Sequence, residues 1–133
     1  MILLDTHVVI WLLTEPDRVS MPAAQRIAES GADGKLPGVS TASLFELAYA
    51  KSRGRVHVNV PDAVFLHRMR QWFDIRPVTD AIALRAAELS DPFHGDPMDR
   101  MIAATAIIEQ RTLLTADAKI LAAGVCTVLQ GTL

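Results

Sequence analysis

Cysteine is almost missing from this chain. Cys126 stands alone among 133 residues, so no internal disulfide can form, and no Cys-x-x-Cys pair suggests zinc or thiol redox chemistry. A reduced, cytoplasmic setting is expected. Aromatic residues make up 5 % of the chain, too few for an all-β sandwich built on them. The apolar half is dominated by Ala, Leu, Ile and Val, which favours a helix-rich or α/β core. Long hydrophobic runs are also missing. Residues 8–13 fall far short of the roughly 20 needed to span a bilayer, and Asp5 interrupts the apolar start, so neither membrane span nor signal peptide is expected. The net charge of −2 argues against a non-specific polyanion binder. With no internal repeat, low-complexity tract or linker, residues 1–133 read as a single domain.

What is present alternates in type. Ile2-Leu3-Leu4 is a short apolar strand, and the helix that opens after Asp5-Thr6 is apolar on every side up to Leu13. That surplus around Trp11 is expected to serve a partner surface, with complete burial in a layered sandwich as the alternative. A second helix spans about residues 22–30. A weak strand at 36–40, weakened by Pro37 and Gly38, leads into a helix over about 44–52, with Leu44, Leu47 and Ala48 inward and Glu46 in its first turn. A further helix at 61–73 has Val64, Phe65, Met69 and Trp72 as its apolar side. After a strand near 75–78, Thr79 caps a helix over 80–89, with Ile82, Ala83, Ala86 and Leu89 inward. Residues 90–95 form a loop, Asp96-Pro97 opens a helix that is apolar nearly all round, and Thr112-Leu113-Leu114-Thr115 is a buried strand. A short helix over 118–123, its stop at Gly124, and a strand over 125–129 complete the order β-α-α-β-α-α-β-α-α-β-α-β. Such alternation predicts a mostly parallel sheet with helices on both faces, and a ligand site outside the carboxyl ends of the strands.

Four acids fall on that edge: Asp5 after the first strand, Glu46 in the helix after the second, Asp99 at the start of the long apolar helix, and Asp117 after the fourth strand. Each has a local explanation. Ser43 to Glu46 fits a capping box, Asp96 to Asp99 is capping chemistry, and Asp117 complements a helix dipole. Four together repel one another, and a hard divalent cation would relieve that conflict: Mg²⁺, with Mn²⁺ as a substitute. Between Lys51 and Arg76 lie six basic residues against two acids, so that segment carries +4 and the remainder −6. Cations for a phosphate backbone beside an acidic metal pocket suit an enzyme of phosphate-bearing substrates, although a solvated helical surface has the same pattern. His7, His57, His67 and His94 are scattered without an i, i+4 pair and are expected to carry no catalytic or ligand role.

Leu3-Leu4-Asp5-Thr6-His7, the helical Glu46, the string DPMDRMIAATA and the string LLTAD together resemble the PIN-domain nucleases, specifically the VapC toxins of prokaryotic toxin–antitoxin pairs. The resemblance covers essentially the whole chain. It implies a PIN-like three-layer α/β/α sandwich with a mostly parallel central sheet. It also implies Mg²⁺-dependent ribonuclease activity, homodimers and a cognate VapB-type antitoxin. The acid three residues before the isoleucine of IAATA is the family's third, here Asp99. The first, second and fourth map to Asp5, Glu46 and Asp117 as catalytic and metal-ligating residues. Thr6 and Thr115 are placed to hydrogen-bond the acids or a substrate phosphate, with support of the acids the expected role, and Asp96 is expected to be the helix cap, with an outer ligand as the alternative. Dimer and antitoxin contacts are expected from the 8–13 stretch and from the helices between Leu44 and Trp72.

Two other readings compete. A strand ending in Asp-Thr resembles the start of an aspartyl phosphotransfer enzyme, which wants a second Asp two residues on, where this chain has His7. The other is a non-catalytic RNA-binding or protein-interaction module on the same fold.

Overall fold

The computed structural model describes residues 1–89, 96–123 and 128–130. Strand β1 (Ile2–Leu4) runs into Asp5, which caps α1 (Thr6–Thr14). Pro16 ends that helix in a 3-10 turn (Pro16–Arg18), and the Ser20 hydroxyl accepts the Ala23 N–H to open α2 (Met21–Ala32). There follow β2 (Gly38–Ser40), α3 (Thr41–Ser52), α4 (Asp62–Trp72), β3 (Asp74–Arg76), α5 (Asp80–Glu88), α6 (Pro97–Ile108), β4 (Thr112–Thr115), α7 (Ala118–Ala123) and β5 (Val128–Gln130). This is the alternation read from the sequence. All five strands are parallel, in the order β3-β2-β1-β4-β5. The sheet grows outward from β1 in one direction and then, at β4, in the other, which makes the β1/β4 boundary its switch point.

Strand side chains alternate between two cores. Ile2, Leu4, Val39 and Leu114 pack with Val8, Val9 and Trp11 of α1, Ala23 of α2, and Phe65 and Met69 of α4. Leu3 and Leu113 pack on the other face with Ile102, Ala103 and Ala106 of α6 and Ile120 of α7. Helix α3 belongs to both, through Leu47 and Ala42 respectively. Small residues let α6 be covered on two sides, since Ala104 meets Ile82 and Ala86 of α5. The layers are therefore helices, parallel sheet, helices, as expected.

Several expectations are corrected. Trp11 is not a partner surface: it is 8 % exposed and roofed by the Arg18 guanidinium 4.6 Å from its ring, because the layer of α2 and α4 covers α1 as well as the sheet. Helix α4 turns only Phe65 and Met69 fully inward; Val64 and Trp72 are exposed. Ala48 and Ala83 also face solvent. Helix α3 begins three residues before the expected Leu44, at Thr41, because the Ser40 hydroxyl accepts the Ala42 N–H. The expected loop over 90–95 with His94, the stop at Gly124, and Cys126 lie outside the described residues, and the last strand is described only over Val128–Gln130.

At the amino ends of the strands the chain buries a charge. Arg111 donates to Glu109 at 2.8 Å, to Asp74 at 3.2 Å and to the Ile2 carbonyl at 3.3 Å, and Arg76 shares both acids. Gly38, beside Asp74 in the sheet register, leaves room for it: a Cβ there would stand 2.6 Å from Arg111 Nη1 and 3.2 Å from the Ile2 carbonyl oxygen. Gly38→Ala is expected to cost about 1–3 kcal/mol through this overpacking. A urea midpoint indistinguishable from the parent would show that the guanidinium has slack.

Candidate active site

Because the strands are parallel, Asp5 after β1 and Asp117 after β4 leave the sheet side by side, on either side of the switch point. The Asp5 N–H continues the ladder onto the Leu114 carbonyl at 2.9 Å. Asp5 is 3 % exposed, and both of its carboxylate oxygens are held: Oδ1 by the Thr6 N–H at 2.8 Å and Oδ2 by the Thr115 hydroxyl at 2.7 Å. Thr115 also accepts the Asp117 N–H at 3.0 Å, so one hydroxyl ties the two acidic turns together. Asp117 additionally caps its own helix, its Oδ1 accepting the Lys119 N–H.

Glu46 reaches this cluster from α3. The capping box read from the sequence does not form. With the helix starting at Thr41, Glu46 sits in the second turn instead of the first, and its Oε1 accepts a 2.7 Å bond from the Thr6 hydroxyl. Thr6 Oγ1 also pairs with Ser43 Oγ at 2.9 Å. The residue that caps the helix is Ser40, three residues before Ser43.

Helix α6 supplies the remaining acids. Asp96 is the cap, as expected, with Oδ1 accepting the Met98 N–H at 3.0 Å. Asp99, half-buried in the first turn, takes no hydrogen bond or ion pair among the described residues. Burial pushes its carboxyl up to about 7, reinforced by the charges of Asp96, Asp5, Glu46 and Asp117. The same forces act on its neighbours. Glu46 is raised by burial and by Asp96 and Asp5, against the Thr6 hydrogen bond and nearby His7. Asp5 is raised by burial and by Asp117, against its bonds to Thr115 and Thr6 and the charge of His7. Acids separated by more than a hundred residues of chain thus lie within one electrostatic field. None of Asp5, Glu46, Asp96, Asp99 or Asp117 is in an ion pair with Lys or Arg among the described residues.

The donor chemistry fits a hard divalent cation: carboxylates and hydroxyls only, with surplus negative charge. The acids do not form a closed cage, since among the described residues no group of three or more His, Cys, Asp or Glu is arranged to hold an ion. That suits Mg²⁺, which is usually bound through one or two carboxylates and keeps several of its waters. Aspartyl phosphotransfer fits poorly, because His7 stands where that chemistry wants a second acid.

Comparison with known proteins agrees with this architecture. The PIN domain profile matches residues 2–125. Ribonuclease VapC22 of Mycobacterium tuberculosis is 34 % identical over 119 residues, covering 90 % of this chain and 88 % of that protein. Among solved structures, VapBC2 from Rickettsia felis bound to a promoter DNA fragment superposes with a TM-score of 0.71 at 19 % identity, covering 97 % of this chain and 98 % of that one. DNA-bound VapBC from Salmonella typhimurium gives 0.72 at 14 % identity, with the same coverage of both chains. Fold, motif order and sequence identity agree: the chain belongs to the PIN-domain family, among the VapC-type proteins.

Proposed function

We propose that this protein is the toxin of a VapBC-type pair, an endoribonuclease that hydrolyses RNA phosphodiesters with the help of Mg²⁺. One observation carries the reading: half-buried Asp99 is pushed up to about 7 by burial and by the charges of Asp96, Asp5, Glu46 and Asp117, with no Lys or Arg in an ion pair with it among the described residues. The 34 % identity to a protein named a ribonuclease supports RNA as the substrate. Asp5 and Asp99 would ligate the ion directly and Asp117 and Glu46 would complete its shell through bridging waters, Mn²⁺ being a possible substitute. When bound, such a cation lowers the pKa of a coordinated water and offsets charge developing on the phosphate and the leaving oxygen.

The chain's own groups prepare the site. Thr115 fixes Asp5 against the Asp117 turn, and Thr6 fixes Glu46, so two acids are oriented before substrate arrives. Asp99 carries a proton part of the time at neutral pH and releases it when positive charge enters the pocket. The exposed Arg53, Arg55, Arg68 and Arg70 offer cations for the RNA backbone, while Lys51 is engaged by Asp62 at 3.0 Å.

A VapB-type antitoxin and a second copy of the chain are the proposed partners. A cavity of about 310 Å³ between Leu13, the 57–60 loop and α4, with exposed Trp72 at its rim, is an apolar seat for the antitoxin. The exposed Phe45 and Tyr49, their rings stacked with centroids 6.0 Å apart, offer an apolar patch for the dimer. The proposed site of action is the cytoplasm; among the described residues no helix is long and apolar enough to cross a membrane.

The test is cleavage of an end-labelled single-stranded RNA by the purified toxin. Activity is expected with Mg²⁺, lost with excess EDTA and recovered when Mg²⁺ is restored. Cleavage that persists in EDTA after exhaustive dialysis would overturn the metal dependence, and binding without any cleavage would favour the non-catalytic module.

A further inference from the structure

We infer that Ser43 is a positioning residue, which donates its hydroxyl proton to Thr6 and so directs the Thr6 proton onto Glu46. The ribonuclease reading is needed only for its effect on catalysis; the hydrogen-bond chain stands on geometry alone. Thr6 has one hydroxyl proton and two partners within reach, Glu46 Oε1 at 2.7 Å and Ser43 Oγ at 2.9 Å. The carboxylate is the stronger acceptor and the nearer one, so the proton goes there. The remaining 2.9 Å contact is then filled by the Ser43 proton.

Ser43 behaves unlike four other helical hydroxyls of this chain. Thr14, Ser30, Ser52 and Thr105 each turn back on their own helix, donating at 2.7 Å to the carbonyls of Ile10, Ile27, Tyr49 and Met101. Ser43 is 0 % exposed, and its side-chain partner among the described residues is Thr6, on another helix and 37 positions away. A buried hydroxyl donor left unpaired is costly, so this bond fixes the direction of the whole chain. The relay Ser43 to Thr6 to Glu46 polarises each link and pins Oε1. Glu46 Oε2 accepts no hydrogen bond among the described residues and is left as the oxygen available to the site.

The experiment has two arms. In the first, RNA cleavage kinetics are compared for the parent, Ser43→Ala, Thr6→Val, Thr6→Ser and the Ser43→Ala/Thr6→Val double variant. Ser43→Ala is expected to lower kcat about 10- to 100-fold, the range for outer-shell partners, with KM within about twofold. Thr6→Ser keeps the relay and most of the rate, and Ser43→Ala adds no further loss once Thr6 is Val. In the second, urea unfolding midpoints are measured for Ser43→Ala alone and in a Thr6→Val background, without added metal. The shift caused by Ser43→Ala is expected to be lost or reversed when Thr6 can no longer accept. An equal shift in both backgrounds, or an unchanged kcat in Ser43→Ala, would make Ser43 a space-filler and overturn the inference. Should the parent itself cleave no RNA, the ribonuclease reading falls and the unfolding cycle alone decides the role of Ser43.

Discussion

Asp99→Asn is expected to abolish RNA cleavage and at the same time to stabilise the metal-free protein. The loss of activity should exceed about 100-fold, since even outer-shell partners of metal sites cost up to that much. The gain in stability follows from the sign of the shift. The folded carboxyl titrates near 7 against an ordinary 3.8, so between those values the folded state holds more protons than the unfolded one. Stability of the parent therefore falls as pH rises from about 4 to 7, and the deficit persists above that. An Asn cannot ionise and escapes the penalty. Because Asp99 is only half-buried, screening reduces the benefit to roughly 1–2 kcal/mol, or about 3–8 °C in Tm. The advantage should be full at pH 8 and vanish near pH 4. Thermal melts of both proteins in EDTA across that range provide the check; a variant less stable than the parent at pH 8 would show that Asp99 is not under strain.

Arg111→Ala carries the largest expected loss of stability, about 3–5 kcal/mol, the usual cost of removing one member of a buried ion network. Its side chain is 4 % exposed and supplies three directed bonds, to Glu109, Asp74 and the Ile2 carbonyl. Without it, Glu109, itself 16 % exposed, keeps only Arg76, and a cavity opens beside Gly38. Lysine should rescue poorly, because one ammonium cannot reproduce the fork. The network lies at the amino ends of parallel strands and the acids at their carboxyl ends, so kcat per folded molecule should stay close to that of the parent. Urea unfolding paired with active-site titration separates the two effects. A loss below about 1 kcal/mol would place Arg111 among the weak surface pairs.

These two residues mark how far the sequence could be read. The alternation of strands and helices was legible because each turn carries local punctuation, such as Thr79 before α5 and Asp96-Pro97 before α6. The acids were legible as positions at element ends. Their contacts were not, because those depend on helix phase. Ser40 and Ser43 are both good caps, and choosing Ser40 shifts α3 so that Glu46 meets Thr6 instead of a backbone N–H. Nothing in the sequence singles out Arg111, which follows the polar helix end Glu109-Gln110. Its partner Asp74 is 37 residues away and the Ile2 carbonyl 109, distances no local pattern spans. Trp11 failed for a related reason: an all-apolar helix looks the same whether its second face meets a partner or another layer of its own fold.

The most direct measurement is calorimetric titration of Mg²⁺ into the parent and into Asp99→Asn at pH 7, in two buffers that differ in ionisation enthalpy. The account predicts saturable binding to the parent accompanied by release of a proton, seen as a buffer-dependent heat, and binding that is severely weakened and free of proton release in the variant. Equal binding to both proteins, or no binding to the parent, would mean that the acids gathered at the β1/β4 boundary do not share an ion.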